Sequence, residues 1–163
     1  MRATVASTPV SALVLRATLL AAACAAGAAL ADDRRLATPL LPAYAQECSA
    51  CHVAYPPALL PAASWRRLMA NLPRHFGTDA SLDAAAVREI GAWLGTHAAS
   101  GRRAVEAPPE DRITRSAWFV REHREIAQPA WKSPLVRSPA NCAACHAGAD
   151  RGDFDEDAVR IPR

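Results

Sequence analysis

The chain has 163 residues, 51% of them hydrophobic, and a formal net charge of +3. So small an imbalance gives no support to nucleic-acid binding, which asks for a basic patch or stripe. With three Phe, two Tyr and 13 Pro, a chain of this size buries only a modest core by itself.

Residues 1–31 read as a secretory signal. Arg2 and Arg16 precede an apolar run over residues 19–31 that is too short to span a bilayer, and Ala29-Leu30-Ala31 is an A-x-A cleavage site ahead of Asp32-Asp33. Cleavage near Ala31 leaves 132 residues, with 17 basic against 16 acidic, exported to the periplasm. Cys24 lies inside the apolar run. Its acylation as a lipoprotein is the weaker reading, because the stretch after it stays apolar and a cleavage site follows. No other stretch is long and apolar enough to cross a membrane, so the mature chain is expected to have no stable membrane insertion.

The elements predicted along the mature chain are helices and turns, with almost no alternating strand pattern. Pro39 and Pro42 lead into a short helix over residues 43–48, followed by a turn-rich stretch, Tyr55-Pro56-Pro57-Ala58-Leu59-Leu60-Pro61,. Ser64 is placed to cap a helix over residues 65–72, with Trp65, Leu68, Met69 and Leu72 on one face and Pro73 at its end. Asp79 and Ser81 offer a second cap for an amphipathic helix over residues 82–97, which Val87, Ile90 and Leu94 make one-sided and Gly101 closes. Residues 101–111 are polar and proline-bearing, the best candidate linker. A third helix is predicted over residues 112–127, bounded by Gln128-Pro129, with Phe119, His123 and Ile126 on a common face. Ser138 and Pro139 suit the start of a short helix over residues 142–146, and residues 150–163 form a charged surface segment. The division expected is a signal peptide at 1–31, a first domain at 32–103 and a second at 104–163.

Each half carries one copy of the same pentapeptide: Cys48-Ser-Ala-Cys51-His52 and Cys142-Ala-Ala-Cys145-His146. Cys-x-x-Cys-His is the attachment signature of c-type haem. Two thiols three residues apart can reach the two vinyl groups of one porphyrin, and the adjacent histidine then lies under the iron as an axial ligand. Zinc also takes Cys and His, but it needs four ligands in each cluster. A disulfide within each pair leaves both histidines unexplained. The expectation is therefore two covalently bound haem c groups, held by Cys48, Cys51 and His52 and by Cys142, Cys145 and His146, in a fold centred on haem. Export agrees with this, because thioether attachment takes place outside the cytoplasmic membrane in bacteria.

The second axial ligand of each iron separates electron transfer from ligand chemistry. With His52 and His146 used, His75, His97 and His123 remain, and Met69 is the one methionine of the mature chain. One methionine cannot serve two haems, and Met69 shares an apolar stripe with Trp65 and Leu72, where core packing accounts for it. His75 lies on a loop between Pro73 and Gly77 that could fold over a haem face, and His123 sits mid-helix among apolar neighbours. His97 stands at a helix end, where a solvated cationic side chain suits the dipole. The assignment expected is bis-histidine at both irons, His52 with His75 and His146 with His123, although His75 could instead cross over to the second haem. Such iron is six-coordinate and closed. Without methionine ligation to raise the potential, both haems are expected to be low-potential one-electron carriers, with no catalytic residue.

The chain resembles the periplasmic dihaem cytochromes c. The resemblance runs through Glu-Cys-Ser-Ala-Cys-His-Val-Ala-Tyr-Pro-Pro-Ala-Leu-Leu-Pro, Ser-Trp-Arg-Arg-Leu-Met, His-Phe-Gly-Thr-Asp-Ala-Ser-Leu, Trp-Phe-Val-Arg-Glu-His-Arg-Glu-Ile and Ala-Asn-Cys-Ala-Ala-Cys-His. It implies a mainly α protein in which a class I cytochrome c-like first domain precedes a smaller, less typical haem-binding segment, with both haems bis-histidine. His75 and His123 fall within the matching strings. The resemblance also implies two partners, an oxygen-binding monohaem cytochrome and a membrane cytochrome b that supplies electrons. The other readings are a dihaem subunit of a multisubunit oxidoreductase, such as the small subunit of periplasmic nitrate reductase, and an enzyme in which a haem exchanges His75 or His123 for substrate.

Overall fold

The computed structural model describes residue 36 and residues 38–162; the signal and lipidation readings lie outside the described residues. Residues Asp33–Arg163 form one compact unit. Among the described residues regular structure is helical, and the one β feature is a bridge between His75 and Thr78.

Helix α1 spans Pro42–Cys48. Pro42 stands in its first turn, where a missing N–H costs nothing and the fixed φ favours the helix. The first motif thus begins on the last residue of α1. Helix α2 spans Ala62–Met69, starting and ending three residues earlier than the sequence suggests. Pro61 occupies the cap position, and Ser64 is fully buried inside the first turn rather than capping it. The chain then makes a 3₁₀ turn over Leu72–Arg74 that contains Pro73, whose ring and missing N–H cannot continue an α-helix.

Helix α3 spans Ala84–His97, and its cap is Asp83, whose Oδ1 accepts from the N–H groups of Ala85 and Ala86 at 2.8 and 3.0 Å. Asp79 and Ser81, the expected caps, bond to each other instead. The helix stops at His97 because Ala98 turns extended and the Ala99 N–H donates to the Leu60 carbonyl at 2.9 Å. Gly101, with φ +60°, opens the next 3₁₀ turn rather than closing the helix. Ile90 and Leu94 bring α3 onto Tyr44, Ala54, Leu60 and Trp65, and these six side chains form the buried core. The Trp65 indole enters that core with its N–H satisfied by the Pro57 carbonyl at 2.8 Å, as a buried donor requires. Met69 packs against this core.

The second half is more broken than its periodicity predicts. In place of one helix over residues 112–127 there are a 3₁₀ turn at Ile113–Arg115 and helix α4 over Ala117–Glu122, and helix α5 follows over Gln128–Lys132. Ser116 makes the first break: its hydroxyl donates to the Ile113 carbonyl at 2.8 Å and accepts from the Phe119 N–H at 3.3 Å, so it caps a new helix,. Pro129 lies in the first turn of α5 and starts a helix rather than ending one,. His123 consequently sits at the C-terminal cap of α4, not in mid-helix. The helix expected over the second motif is reduced to one 3₁₀ turn at Cys142–Ala144, and Ser138 Oγ holds the preceding turn by accepting from Ala140 N–H at 3.1 Å. Residues 101–111 are not a loose tether. They make 3₁₀ turns at Gly101–Ala104 and Pro109–Asp111, and Arg67 of α2 grips Asp111 through two bonds of 2.9 and 2.6 Å.

Candidate haem sites

In the first site Cys48 ends α1, and the turn after it carries Cys51 and His52. His75 arrives from a tight loop. Its carbonyl accepts from the Thr78 N–H at 3.0 Å, and the Ala80 N–H returns to the Leu72 carbonyl at 3.0 Å. That reversal needs left-handed backbone at two consecutive residues, Phe76 with φ +50° and Gly77 with φ +94°. Glycine adopts such a conformation freely, whereas phenylalanine is strained there and must be held. The holding contact is Arg112, whose guanidinium lies 4.3 Å from the Phe76 ring centre, a cation–π distance. The His52 and His75 rings end 6.2 Å apart between centres, with planes 25° apart.

In the second site the motif closes on itself, since the N–H groups of Cys145 and His146 both donate to the Cys142 carbonyl at 3.2 and 2.9 Å. His123 faces it from the end of α4. Phe119 stacks on the His123 ring at 4.0 Å, Trp131 of α5 stands 5.9 Å away, and Phe154 packs 5.3 Å from His146. His123 and His146 are again 6.2 Å apart between ring centres, but their planes are 72° apart. The charged tail does more than cover the surface: the Arg160 N–H donates to the Cys145 carbonyl at 2.9 Å, and Ala149 is buried.

Two imidazoles bonded to opposite sides of one metal have centres about 6 Å apart, given bonds of about 2 Å and about 1 Å from nitrogen to ring centre. Both pairs match that span. The hydrogen bonds agree. Nδ1 of His52 lies 2.7 Å from the Val53 carbonyl and Nδ1 of His123 lies 2.9 Å from the Phe119 carbonyl. A carbonyl only accepts, so each Nδ1 carries the proton and each Nε2 keeps its lone pair for a metal. His75 and His146 have buried Nδ1 atoms without a partner. Burial, reinforced in each case by the facing histidine, holds both below the usual histidine range, and for His146 this prevails over the opposing influence of Asp153. Neutral imidazole is the form that binds metal.

Burial pushes the Cys48 and Cys142 thiols up to about 11 and raises Cys145 as well, so these three are poor nucleophiles for disulfide exchange. Among the described residues no group of three or more His, Cys, Asp or Glu side chains is arranged to hold a bare metal ion.

The other candidates fall away from these pairs. His97 is exposed at the end of α3, with its ring 5.0 Å from Trp93 and Nδ1 2.9 Å from the Trp93 carbonyl. The Met69 side chain lies against Gly91 of α3. Reading the sequence missed the residues that hold the histidines: Tyr55, stacked on His52 at 4.7 Å, Phe76 with Arg112, and Phe154. Of these only Tyr55 had a local cue, three residues beyond the motif in a proline-rich turn.

The family model for dihaem cytochrome c matches residues 44–154. The chain belongs to the dihaem cytochrome c family. Its cofactors are accordingly two covalently bound haem c groups, and its activity is electron transfer. Two solved structures of this family are similar over most of the chain. A diheme cytochrome c from Rhodobacter sphaeroides is 47% identical with a TM-score of 0.63, over 70% of this chain and 96% of that one. A diheme cytochrome c from Shewanella baltica is 42% identical with a TM-score of 0.67, over 77% of this chain and 95% of that one. No curated protein gives a significant match.

Proposed function

We propose that this dihaem cytochrome c is a periplasmic one-electron carrier whose haems are both closed and of low potential. In this reading Cys48 and Cys51 hold the first haem with His52 and His75 as axial ligands. Cys142 and Cys145 hold the second, with His146 and His123. The observation that carries it is the recurrence of one histidine pair, 6.2 Å between ring centres, in each half. Haem c supplies a one-electron iron couple, and bis-histidine ligation omits the methionine that would raise its potential. The chain's own residues fix the imidazoles, through the Val53 and Phe119 carbonyls, and keep the pockets apolar with Phe119, Trp131 and Phe154. Electrons enter from a membrane cytochrome b and leave to an oxygen-binding monohaem cytochrome, the partners that the resemblance implies. A free carrier is favoured over a subunit of a larger oxidoreductase, which would be expected to hold its partner with extended arms, because the C-terminal segment is tied back to Cys145 through Arg160.

The test is low-temperature electron paramagnetic resonance of the oxidised protein beside His75→Ala and His123→Ala. Two low-spin signals are expected, and they should differ in anisotropy. Nearly parallel imidazole planes split the iron d orbitals they overlap, whereas nearly perpendicular planes leave them close in energy. His75→Ala should abolish the less anisotropic signal and His123→Ala the more anisotropic one. A high-spin signal in the unmodified protein, or a near-infrared band of methionine ligation, would refute the assignment.

A further inference from the structure

Tyr55 belongs to the loop of the first motif but touches the second. Its ring lies on His52 with centres 4.7 Å apart and planes 18° apart. Its hydroxyl donates a 2.7 Å hydrogen bond to the carbonyl of Ala140, 85 residues further on and two residues before Cys142. Its own carbonyl accepts from the Tyr44 hydroxyl at 2.7 Å, and Tyr44 is anchored in the core and packed on Trp93 at 5.1 Å. The far end is equally well held. The Ala140 N–H bonds to Ser138 Oγ, and the Asn141 side chain donates to the carbonyl of buried Val136 at 3.1 Å. A phenol has two side-chain torsions, so a ring braced at both ends transmits position with little slack.

We infer that Tyr55 is the positioning residue that couples the two haem sites: its ring orients the His52 imidazole while its hydroxyl sets the spacing from His52 to the second motif. The inference rests on the proposed role of His52 as an axial ligand. In the half-reduced protein a single electron leaves one site and arrives at the other, with no bond made or broken and no proton released. Tyr55 is neither oxidised nor deprotonated in that step. It governs how far apart, and in what orientation, donor and acceptor stand, and electron tunnelling falls steeply with that distance.

The experiment compares Tyr55→Phe and Tyr55→Leu with the unmodified holoprotein. Tyr55→Phe keeps the stacked ring and loses the bond to Ala140. It should leave the paramagnetic resonance signature of the first site in place and slow electron exchange between the sites severalfold, read by nuclear magnetic resonance line broadening of the half-reduced protein. Tyr55→Leu should also change the first-site signature. An exchange rate in Tyr55→Phe equal to that of the unmodified protein overturns the inference. A second measurement needs no variant. The chain has two tyrosines, so 3-fluorotyrosine labelling gives two fluorine resonances, and one should shift at each of the two reduction steps; no resonance responding to both overturns the inference. If the unmodified protein lacks two low-spin signals, the ligation reading fails and takes this inference with it. If both signals are present but exchange is unaffected by Tyr55→Phe, the coupling role alone fails.

Discussion

The two half-buried imidazoles whose Nδ1 atoms are buried without a hydrogen-bond partner, His75 and His146, make a prediction about acid. Each is held below the ordinary histidine range mainly by burial, so at mildly acidic pH the unfolded chain binds protons there that the folded one does not. Stability then rises with pH across that interval. The contribution is complete above the unfolded histidine value of about 6.5 and is lost as pH falls below it. In the proposed ligation, iron bound at Nε2 would compete with the same proton and push the loss lower still. The expected outcome is that both Soret bands of the oxidised protein stay low-spin through pH 6 and convert to high-spin only in more acidic solution. A conversion centred at ordinary histidine titration would mean that these rings are neither desolvated nor bound. His97, exposed at the end of α3, serves as the internal control: His97→Ala should leave the transition where it was.

Elements carry the sites through a few polar contacts. Ser116 defines the start of α4, and α4 delivers both Phe119 and His123 to the second site. Replacing a capping serine by alanine costs about 1 kcal/mol. Ser116→Ala should therefore lower thermal stability by that order and broaden the second paramagnetic signal while sparing the first, as thermal denaturation and spectroscopy of one sample would reveal. Arg67 and Asp111 play the corresponding part for the first site, because Asp111 adjoins Arg112, and Arg112 covers the strained Phe76 beside His75. The Arg67 side chain is 54% exposed, so the pair by itself contributes little stability. Its effect should show as mobility of the His75 loop: Asp111→Ala should admit carbon monoxide to the reduced first haem, which the unmodified protein should exclude. Absence of any carbon monoxide spectrum in that variant would show that the loop is held without the clamp.

These contacts also explain what the sequence disclosed and what it withheld. The cysteines and motif histidines were legible because haem attachment is local chemistry in five residues. The proposed distal histidines, His75 and His123, follow from counting and family resemblance, whereas the residues packed around them could not be read from periodicity. Periodicity placed α3 nearly to the residue, since Ile90 and Leu94 repeat on one face, yet it ran one helix through residues 112–127, where the α-helix is confined to Ala117–Glu122. There the side-chain bonds of Ser116 start a new helix and His123 caps its end, against the apolar repeat. Ser64 differs for another reason: a good capping residue in isolation, it lies buried in the first turn of α2, where its hydroxyl accepts from Arg67 at 3.4 Å. The bond from Tyr55 to Ala140 crosses 85 residues and leaves no local trace.

At the scale of the whole molecule the two halves differ in how they are held. The contiguous core of Tyr44, Ala54, Leu60, Trp65, Ile90 and Leu94 belongs entirely to the first half. Among the described residues beyond 104, the buried apolar side chains are Pro108, Phe119 on a six-residue helix, Val136 in a turn and Ala149 on a 3₁₀ turn. Helices as short as α4 and α5 are not stable by themselves, and so few apolar side chains remove too little surface from water to order that length of chain. The second haem must supply the missing apolar surface, beside Phe119, Trp131 and Phe154, which pack around His123 and His146. Removing its covalent anchors should therefore act unequally. In Cys142→Ser/Cys145→Ser, amide protons over residues 113–160 are expected to lose hydrogen-exchange protection, while those of α2 and α3 keep theirs and the first haem keeps its low-spin spectrum. The reciprocal Cys48→Ser/Cys51→Ser change should leave much of α2 and α3 ordered, because Ile90, Leu94 and Trp65 meet without haem between them. Equal loss of protection in both halves of either variant would mean that the chain folds as one cooperative unit around both haems, and that the first core is insufficient alone.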